Sequence, residues 1–257
     1  MKILGVIPAR YGASRFPGKP LAMILGKPMI LHVYDRVIAA TSLTSLVIAT
    51  DDERIIEVAR QHGAQAIMTR SDHATGTDRI AEVASRMECD VIVNIQGDEP
   101  LMEPLMIDQV VAPFLSEPDL PMSTLKKRLT NPDDIGNPNV VKVVTDLNHN
   151  AVYFSRATIP RAKKGMQLQA ADDDTAIIEP ALFKHIGIYA YRKEFLLKLS
   201  QLPMGVLEKI EELEQLRVLE NGYRIKVVET SFETIAVDEP EDVGKVEQEI
   251  LSRRQKE

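Results

Sequence analysis

Three cationic side chains lie close together in the segment IPARYGASRFPGKPL, Ile7 to Leu21, which directly follows the apolar run Ile3 to Ile7. They are Arg10, Arg15 and Lys19. Glycines at positions 12 and 18 allow backbone N–H groups to approach a ligand closely, and the cations offset a polyanion such as a nucleoside triphosphate. The segment is not a Walker A motif, because five residues separate its glycines and Pro20 follows the lysine. It favours a non-Walker phosphate-binding loop over the alternative, a solvated loop whose glycines only make turns.

Two aspartates follow predicted strands. Asp98 lies in IQGDEP, directly after the apolar run Val91 to Ile95, and Asp238 lies in AVDEPED, after the predicted strand Glu233 to Val237. A carboxylate at the C-terminal tip of a strand can bind Mg²⁺, which uses one or two carboxylates together with phosphate oxygens and waters. The alternative at both positions is helix capping. The residues alone leave both interpretations open.

The elements that position these side chains alternate along the first half of the chain. Short apolar runs predict strands at Lys2 to Ile7, Ser45 to Thr50, Ala64 to Met68 and Asp90 to Ile95. Amphipathic stretches predict helices at Pro28 to Thr41, Asp52 to His62, Thr77 to Met87 and Glu103 to Phe114. Runs such as LVIAT and VIVNI are typical of parallel strands buried on both faces. The pattern predicts an α/β fold with a doubly wound, mostly parallel sheet, which binds its ligands at the carboxyl edge.

The second half is less regular. Strands are predicted in LPMSTLKKRL, NVVKVVTD, NAVYFSR and HIGIYAYR and near Arg224 to Glu229, and helices at Arg192 to Ser200 and Val206 to Asn221. We interpret residues 1–257 as one domain with a smaller mixed α+β subdomain at about Thr124 to Tyr191. Residues 162–178 lack periodicity and predict an exposed loop. The charged tail, Glu239 to Glu257, predicts a solvated surface helix.

Composition excludes several classes of protein. A formal charge of −7 and a pI near 5.4 argue against general nucleic-acid binding, which requires clustered Lys and Arg. Cys89 is the only cysteine, so no internal disulfide is possible, which favours the cytoplasm. The sequence has no apolar run of about 18 residues and no secretion-signal pattern, so we expect no membrane span.

Eight segments, taken in order from Ile3 to about Glu247, resemble the 3-deoxy-D-manno-octulosonate (Kdo) cytidylyltransferases, the CMP-Kdo synthetase family. They are PARYGASRFPGKPL, TRSDHATGTDR, NIQGDEP, NPNVVKVV, YFSRATIPR, HIGIYAYR, LEKIEELEQLRVLENG and VDEPED. The first alone marks only the wider sugar nucleotidyltransferase superfamily, which includes the CMP-sialic acid synthetases. HIGIYAYR together with LEKIEELEQLR is much more specific to the Kdo branch.

The resemblance implies an activity and a nucleotide site. The reaction would be CTP plus Kdo giving CMP-Kdo and diphosphate, for lipopolysaccharide biosynthesis, with Mg²⁺ as cofactor. The protein would be a cytoplasmic homodimer. The implied nucleotide-binding residues are Arg10, Arg15, Lys19, Arg70, Ser71, Gly76 and Thr77, with Asp78 helping to order the segment. Arg10, Lys19, Asp98 and Asp238 are the implied catalytic residues, and the two aspartates are the implied magnesium ligands.

The resemblance also implies a sugar site at Gln96, Arg156, His185, Tyr189 and Glu211. Kdo carries a carboxylate beside its anomeric carbon and many hydroxyls, so its pocket needs a cation and several hydrogen-bonding groups. On residues alone, His185 would be a satisfied strand histidine. Glu208, Glu211, Glu212 and Gln215 share a stripe of the predicted helix, which by itself indicates a solvated face.

Three alternative functions follow from the same residues. One is a related transferase for another acidic sugar, such as a sialic acid or an amino analogue of Kdo. Another is a catalytically silent nucleotide-sugar binding protein, which would not need both aspartates and all three loop cations. A hexose 1-phosphate nucleotidyltransferase is less favoured, because its substrate lacks the carboxylate that Arg156 is expected to meet.

Overall fold

The computed structural model describes residues 1–12, 16–161, 163 and 182–254, so Arg15 and nearly all of the predicted loop 162–178 lie outside the described residues. The strands are β1 (Ile3–Ala9), β2 (Met23–Ile24), β3 (Lys27–Pro28), β4 (Ser45–Thr50), β5 (Ala66–Met68), β6 (Val91–Asn94), β7 (Met122–Arg128), β8 (Lys142–Thr145), β9 (Ala151–Ser155), β10 (Phe183–Arg192) and β11 (Ile225–Glu229). The helices are α1 (Met29–Val37), α2 (Glu53–Gln61), α3 (Gly76–Arg86), α4 (Pro104–Val111), α5 (Pro113–Ser116), α6 (Asp133–Gly136), α7 (Lys193–Leu199), α8 (Val206–Glu211), α9 (Gln215–Glu220) and α10 (Asp242–Arg254). A 3₁₀ turn spans Lys19–Leu21.

The central sheet has the strand order β11-β7-β10-β6-β1-β4-β5. Its neighbouring strands are parallel except around β10, which is antiparallel to both β6 and β7. The antiparallel pair β8 and β9 joins the sheet through a pairing of Lys142 with Lys184. This arrangement confirms the predicted α/β fold with a mostly parallel sheet.

The strand order reverses at β1. From β1 the chain proceeds to β4 and β5 on one side, and β6 then pairs with β1 on the other side. The connections diverge at such a point and leave a crevice at the carboxyl ends of the two strands, where open α/β sheets bind ligands. The loops that follow β1 and β6 both begin at this crevice.

Apolar layers cover both faces of the sheet, as expected for parallel strands. On β1, Ile3 and Ile7 join a core cluster with residues of α1 and α4. Leu4 and Val6 point to the opposite face and join a second cluster with residues of α3 and α7. The alternation follows from the two-residue period of a strand. The sheet therefore holds the loops at its edge in fixed relative positions.

Three sequence expectations are corrected. The helix predicted over Val206 to Asn221 is two helices, because Glu212 adopts a left-handed backbone (φ 52°) that ends α8. No strand forms at Glu233 to Val237. There, the Val237 N–H donates to the Asp98 carbonyl oxygen at 2.9 Å instead. Glu208, Glu211, Glu212 and Gln215 do not share one helix face, because α8 ends at Glu211 and α9 begins at Gln215.

The charged tail is docked rather than solvated all round. In α10, Val246 is fully buried in a small cluster with Ile24, Met29, Leu101 and Val237. Polar contacts reinforce the docking, since Glu247 accepts a hydrogen bond from the Leu25 N–H at 2.8 Å. One buried valine was too weak a signal to predict an apolar face from sequence.

Within the described part of the chain, none of the helices combines the length and the apolar character needed to cross a bilayer.

Candidate active site

A cavity of about 320 Å³ opens at the crevice between the carboxyl ends of β1 and β6. The residues predicted from sequence that line it are Arg10, Lys19, Gly76, Gln96, Asp98 and Asp238. They come from segments far apart in the chain, and the sheet edge and the docked C-terminal segment bring them together. The cavity therefore combines cations, carboxylates and the start of a helix.

The first loop is held in shape by Gly18 and Tyr11. Gly18 has φ +75°, its N–H donates to the Tyr11 carbonyl at 2.8 Å, and a Cβ there would lie 3.1 Å from the Tyr11 ring. The guanidinium of Arg54 stacks on that ring at 3.3 Å. Gly18 is the N-cap of the 3₁₀ turn that begins at Lys19. The turn thus fixes where the Lys19 side chain leaves the backbone.

Lys19 joins the two predicted metal-binding aspartates. Its ammonium donates to Asp98 Oδ2 at 2.7 Å and to the Val237 carbonyl at 2.8 Å, and lies 3.8 Å from Asp238 Oδ1. The Lys19 side chain is only 15% exposed, whereas the Asp98 and Asp238 side chains are 30% and 48% exposed. Lys19 is thus placed to balance the two negative charges.

The donor set at this point fits Mg²⁺. Two accessible carboxylates face one cavity that also has room for phosphate oxygens and water, and this ion is commonly held by one or two carboxylates. Asp98 is not a helix cap, because α4 begins at Pro104 with Glu103 as its N-cap. Burial, reinforced by the negative charge of Asp98, raises the pKa of Glu99 to about 8. At neutral pH Glu99 is therefore mainly uncharged and adds little negative charge to the pair.

Gly97 permits the close approach of the loop after β6 to the end of strand β1. A Cβ at this position would lie 2.8 Å from the carbonyl oxygen of Pro8, which real Cβ atoms essentially never do. Both residues line the cavity. Gly97 had no role predicted from sequence, although its place between Gln96 and Asp98 was a usable signal for close backbone approach.

The predicted cytidine segment contributes its backbone at the start of α3. Thr75 is the N-cap: its hydroxyl accepts from the Asp78 N–H at 3.1 Å, and Asp78 Oδ2 accepts from the Thr75 N–H at 3.2 Å. This capping box explains why Asp78 orders the segment. Thr75 and Gly76 line the cavity, so the positive end of a helix faces the ligand space.

Three other predicted nucleotide residues lie elsewhere. Thr77 is buried and its hydroxyl donates to Glu214 Oε2 at 2.5 Å. The exposed side chain of Arg70 is paired with Asp72 at 2.8 Å. Ser71 is exposed, and neither Arg70 nor Ser71 lines the cavity. Of the four predicted residues in this segment, Arg70, Ser71, Gly76 and Thr77, only Gly76 lines the cavity.

Four residues of the same segment line the cavity but were assigned no role from sequence: His73, Ala74, Thr75 and Arg79, of which two carry ionisable side chains. Arg79 is buried, and it pairs with Asp51 at 2.8 Å and bonds to the Thr69 hydroxyl. His73 pairs with Glu82. Both occur in TRSDHATGTDR, the segment that was already singled out, so their position in that motif was the available signal.

Arg156 and Glu211 contact each other at the end of β9. Glu211 Oε1 accepts from the Ser155 hydroxyl at 2.7 Å, and Oε2 accepts from the Arg156 N–H at 2.9 Å. Arg156 Nε donates to the Glu211 carbonyl at 2.7 Å. The two predicted sugar residues thus lock β9 to the C-terminal end of α8.

His185 and Tyr189 lie side by side on β10, with ring centroids 5.4 Å apart. His185 Nε2 bonds to the Thr124 hydroxyl at 2.9 Å, and burial lowers its pKa to about 3. Burial also raises the pKa of Tyr189. Both side chains are therefore neutral at physiological pH. Gln96 Nε2 donates to the carbonyl of Gly187 at 3.0 Å, which links this group to the cavity.

Gln215 belongs to the same group. Its Oε1 accepts from the Tyr189 hydroxyl at 3.2 Å, while its amide nitrogen is buried without a hydrogen-bond partner among the described residues. A buried unpaired donor is costly and is consistent with a place for a ligand. Gln215 was predicted to lie on the charged stripe and had no role predicted from sequence.

Glu208 forms a buried ion pair with Arg217. Both of its carboxylate oxygens accept from Arg217, at 2.7 and 2.6 Å, and both residues are buried. This bidentate pair joins α8 to α9. Glu208 is thereby committed to holding the two helices together.

Comparisons with known proteins identify the family of this chain. The cytidylyltransferase family matches residues 4–228. A 3-deoxy-manno-octulosonate cytidylyltransferase from Solibacter usitatus (strain Ellin6076) is 56% identical over 245 residues, covering 95% of this chain and 93% of its own. One from Trichlorobacter lovleyi (strain ATCC BAA-1151 / DSM 17278 / SZ) is 51% identical over 250 residues, covering 97% and 99%.

A solved structure is also closely similar. It is CMP:2-keto-3-deoxy-manno-octonic acid synthetase complexed with CTP, and the match covers 98% of this chain and 100% of that one, with a TM-score of 0.89 and 39% identity. The agreement in sequence and in structure extends over nearly the whole length of all these proteins. The chain therefore belongs to the cytidylyltransferase family and, within it, to the 3-deoxy-manno-octulosonate cytidylyltransferases.

Proposed function

We propose that this protein transfers CMP from CTP to the anomeric hydroxyl of Kdo, releasing diphosphate and forming CMP-Kdo for lipopolysaccharide biosynthesis. The observation that carries the proposal is the grouping of Lys19, Asp98 and Asp238 in one cavity, linked through Gln96 to the His185 and Tyr189 group. A polyphosphate site beside a neutral hydrogen-bonding site matches the two substrates. The 56% identity to a 3-deoxy-manno-octulosonate cytidylyltransferase supports the same choice.

On the nucleotide side, Arg10, Arg15 and Lys19 bind the triphosphate. Cations aimed at the diphosphate stabilise the charge that develops on this leaving group, and such preorganised groups need no rearrangement during the reaction. Gly76 offers backbone at the start of α3. Thr77 contributes through its backbone only, since its hydroxyl is held by Glu214.

Arg70 and Ser71 remain proposed cytidine contacts. They precede His73 and Ala74, which line the cavity, on one continuous loop. The pairing of Arg70 with Asp72 is exposed and therefore weak, so a bound nucleotide can displace it.

On the sugar side, Arg156 meets the Kdo carboxylate, while Gln96, Glu211, His185 and Tyr189 bond to its hydroxyls. The Arg156 Nε is committed to Glu211, and among the described residues its outer nitrogens make longer contacts of 3.2 and 3.5 Å to backbone carbonyls. Those nitrogens can exchange a neutral carbonyl for a carboxylate, which is a stronger acceptor.

The chemistry rests on alignment and charge. The anomeric hydroxyl attacks the α-phosphorus in line with the departing diphosphate, and a transfer of this type needs little covalent help from the protein. Asp98 and Asp238 would hold Mg²⁺, which when bound supplies positive charge to the phosphates and lowers the pKa of a nearby hydroxyl. A dedicated general base is not required for this mechanism.

The test of the function is diphosphate release from CTP and Mg²⁺ with Kdo. Parallel reactions contain sialic acid, an 8-amino Kdo analogue or no sugar. Release that is fast only with Kdo supports the proposal. Release only with another acidic sugar would transfer the assignment to that sugar, and the absence of release with every sugar would favour a binding protein.

The metal assignment has its own test. Asp98→Asn removes a charge from the Lys19 and Asp238 group, and we expect turnover to fall by about a hundredfold or more at any Mg²⁺ concentration. Asp133→Asn, at an exposed position in α6, is the matched control and should behave as wild type. Near-normal activity of Asp98→Asn would refute the assignment.

We also propose a cytoplasmic homodimer, with residues 124–191 as a subdomain at the sugar site and the interface. Two apolar side chains in that segment support an interface, since Leu147 is 100% and Val152 59% exposed. A dimer interface at this place would remove both side chains from water. Sedimentation of wild type and Val152→Glu tests it: the variant should dissociate, and an unchanged monomer in both would exclude the dimer.

A further inference from the structure

Lys142 is a fully buried residue with a charged side chain. It is the first residue of β8, where it pairs with Ser155 of β9 and with Lys184 of β10. No step of the proposed reaction uses Lys142, although it lies in NPNVVKVV, one of the segments that carry the family resemblance. Because a buried ammonium is costly unless it is hydrogen-bonded, its contacts indicate what it does.

The Lys142 ammonium donates to three backbone carbonyls. They belong to Asn137 at 2.8 Å, Val140 at 2.6 Å and Arg156 at 2.9 Å. An ammonium has three N–H donors, so all of them are used within the described part of the chain. Lys142 therefore has no donor left for a substrate, and it acts on its surroundings through the backbone that it holds.

One of these carbonyls belongs to the proposed partner of the sugar carboxylate. The Arg156 N–H donates to Glu211 Oε2 at 2.9 Å, and the Arg156 carbonyl accepts from Lys142 at 2.9 Å. Arg156 directly follows β9, which ends at Ser155. The two bonds therefore fix the backbone just beyond the strand, where the Arg156 side chain starts.

The other two carbonyls flank a contact of the Arg156 side chain. Residues 137–140, here called the 137–140 loop, lie between α6 and β8. Within this loop, the Pro138 carbonyl accepts from Arg156 Nη1 at 3.2 Å. Lys142 bonds to Asn137 and Val140, on either side of Pro138. It thus holds both the backbone of Arg156 and the loop against which the guanidinium rests.

The electrostatic cost of this arrangement favours a specific role. Burial lowers the pKa of Lys142, and the positive charge of Arg156 adds to that shift, whereas Asp134 and Glu211 oppose it. All three acceptors are neutral carbonyls. An apolar side chain of similar length would fill the same space without the desolvation cost of an ammonium. A lysine here therefore indicates that the positions of the three carbonyls matter.

We propose that Lys142 is a positioning residue for the sugar site: its ammonium holds the Arg156 carbonyl and the 137–140 loop, and thereby aims the Arg156 guanidinium at the sugar carboxylate. This inference rests on the proposed function, which makes Arg156 the partner of the Kdo carboxylate. Lys142 acts through Arg156 and contacts no substrate itself. The restraint of Arg156 by Lys142 is independent of which acidic sugar is bound.

The first test compares Lys142→Met with Lys193→Met, since methionine keeps most of the buried chain but has no N–H donor. Lys193 is the matched control: its ammonium also donates to a backbone carbonyl, that of Met87 at 2.7 Å, and its own N–H bonds to Asp90, at the edge of the sheet opposite the crevice. We expect Lys142→Met to raise KM for Kdo by about tenfold, the effect of losing hydrogen bonds to a charged group, with KM for CTP unchanged. Lys193→Met should leave both KM values unchanged.

A double-mutant cycle decides whether Lys142 acts through Arg156. In an Arg156→Met background, Lys142→Met should lower kcat/KM for Kdo by less than about twofold, because the effects of two residues are not additive when one acts through the other. A merely structural role of Lys142 would lower kcat/KM equally in both backgrounds.

A further measurement does not depend on activity. Amide hydrogen exchange at residues 139–141 and 156–158 of the free protein should become about tenfold faster in Lys142→Met but not in Lys193→Met. If the wild type releases no diphosphate with Kdo, the proposed function fails, whereas the exchange rates still decide whether Lys142 restrains Arg156. If Lys142→Met folds poorly, Asn137→Ala loosens the same loop, because Asn137 Oδ1 accepts from the Asn139 N–H at 2.9 Å. That variant must then raise KM for Kdo and not for CTP.

Three results together support the proposal: a raised KM for Kdo alone, loss of this effect in the Arg156→Met background, and faster exchange around Arg156. Raised KM for both substrates, equal effects of Lys142→Met in the two backgrounds, or unchanged exchange would overturn it.

Discussion

The ammonium of Lys19 lies 2.7 Å from a carboxylate oxygen of Asp98. The two residues are 79 positions apart, and Lys19 also bonds to the carbonyl of Val237, 218 positions away. One lysine thus joins the loop after β1, the loop after β6 and the segment before α10. These are the parts that the proposed reaction must keep in register.

Lys19→Met should lower kcat by about a hundredfold to a thousandfold, as expected when one preorganised group that stabilises developing charge is removed. The fold should survive, because the pair is partly exposed and such pairs add little stability. Steady-state kinetics with CTP and Kdo measures the effect. Lys2→Met, which removes only an exposed pair with Glu88, is the matched control. A kcat within threefold of wild type would contradict the role given to Lys19.

Gly97→Ala should reduce both stability and activity. Its new Cβ would lie 2.8 Å from the Pro8 carbonyl, so the loop after β6 must move away from the end of β1. Such overpacking costs about 1–3 kcal/mol of unfolding free energy. Urea unfolding and kcat/KM for CTP measure the two effects. Gly244→Ala, within α10 and with open space around it, should instead be neutral or stabilising. Equal behaviour of both variants would show that the close approach is unimportant.

Arg217→Met should destabilise the protein strongly. It leaves both oxygens of buried Glu208 without their cation, and removing one member of a buried pair typically costs about 3–5 kcal/mol. Chemical denaturation measures the loss. The double variant Arg217→Met with Glu208→Leu should recover part of it, since no buried charge is then left unpaired. Strictly additive losses would show that the two side chains do not act as a pair.

His185 should make folding stability depend on pH. Burial places its folded pKa at about 3, below the value near 6.5 of an unfolded chain. The unfolded state therefore binds a proton first as the pH falls. The stability contribution of neutral His185 is complete above about pH 6.5 and decreases by about 1.4 kcal/mol per pH unit between there and about pH 3.

Urea unfolding at several pH values below about 7 checks this dependence. His185→Gln should remove the part of the slope that corresponds to one proton. His149→Asn, at an exposed histidine with φ 59°, should keep the wild-type slope, because Asn tolerates that backbone. Identical slopes for wild type and His185→Gln would mean that the imidazole titrates normally in the folded protein.

Predictions from the sequence were accurate wherever a signal was local. The strand Ser45–Thr50 was predicted with its observed bounds, because a run of buried residues between turns is a local property. The prediction of one helix over Val206 to Asn221 was wrong, because the apolar periodicity gives no sign of the left-handed backbone at Glu212. The strand at Glu233 to Val237 was wrong because that segment bonds to the loop of Asp98 rather than to a sheet neighbour.

Site residues could likewise be predicted where the signal was local, and their partners could not. Arg10, Lys19 and Asp98 could be selected because charged residues that follow sheet strands meet at the carboxyl edge of the sheet. Asp238 follows no strand in the structure, and it reaches the cavity because the segment before α10 docks on the loop of Asp98. The sequence could not tell that the Thr77 hydroxyl is held by Glu214, or that Glu208 is paired with Arg217. Each of these partners is set by how helices pack.

The sequence by itself determined the α/β class, the order of the elements, the cationic loop and the family to which the chain belongs, because these depend on local periodicity and on motifs. Only the tertiary structure decided which carboxylates Lys19 contacts, that Gly97 must have no side chain, and that Glu214 accepts a hydrogen bond from Thr77. Those relationships depend on distances of a few ångströms between residues far apart in the chain, and packing of the complete fold alone sets such distances.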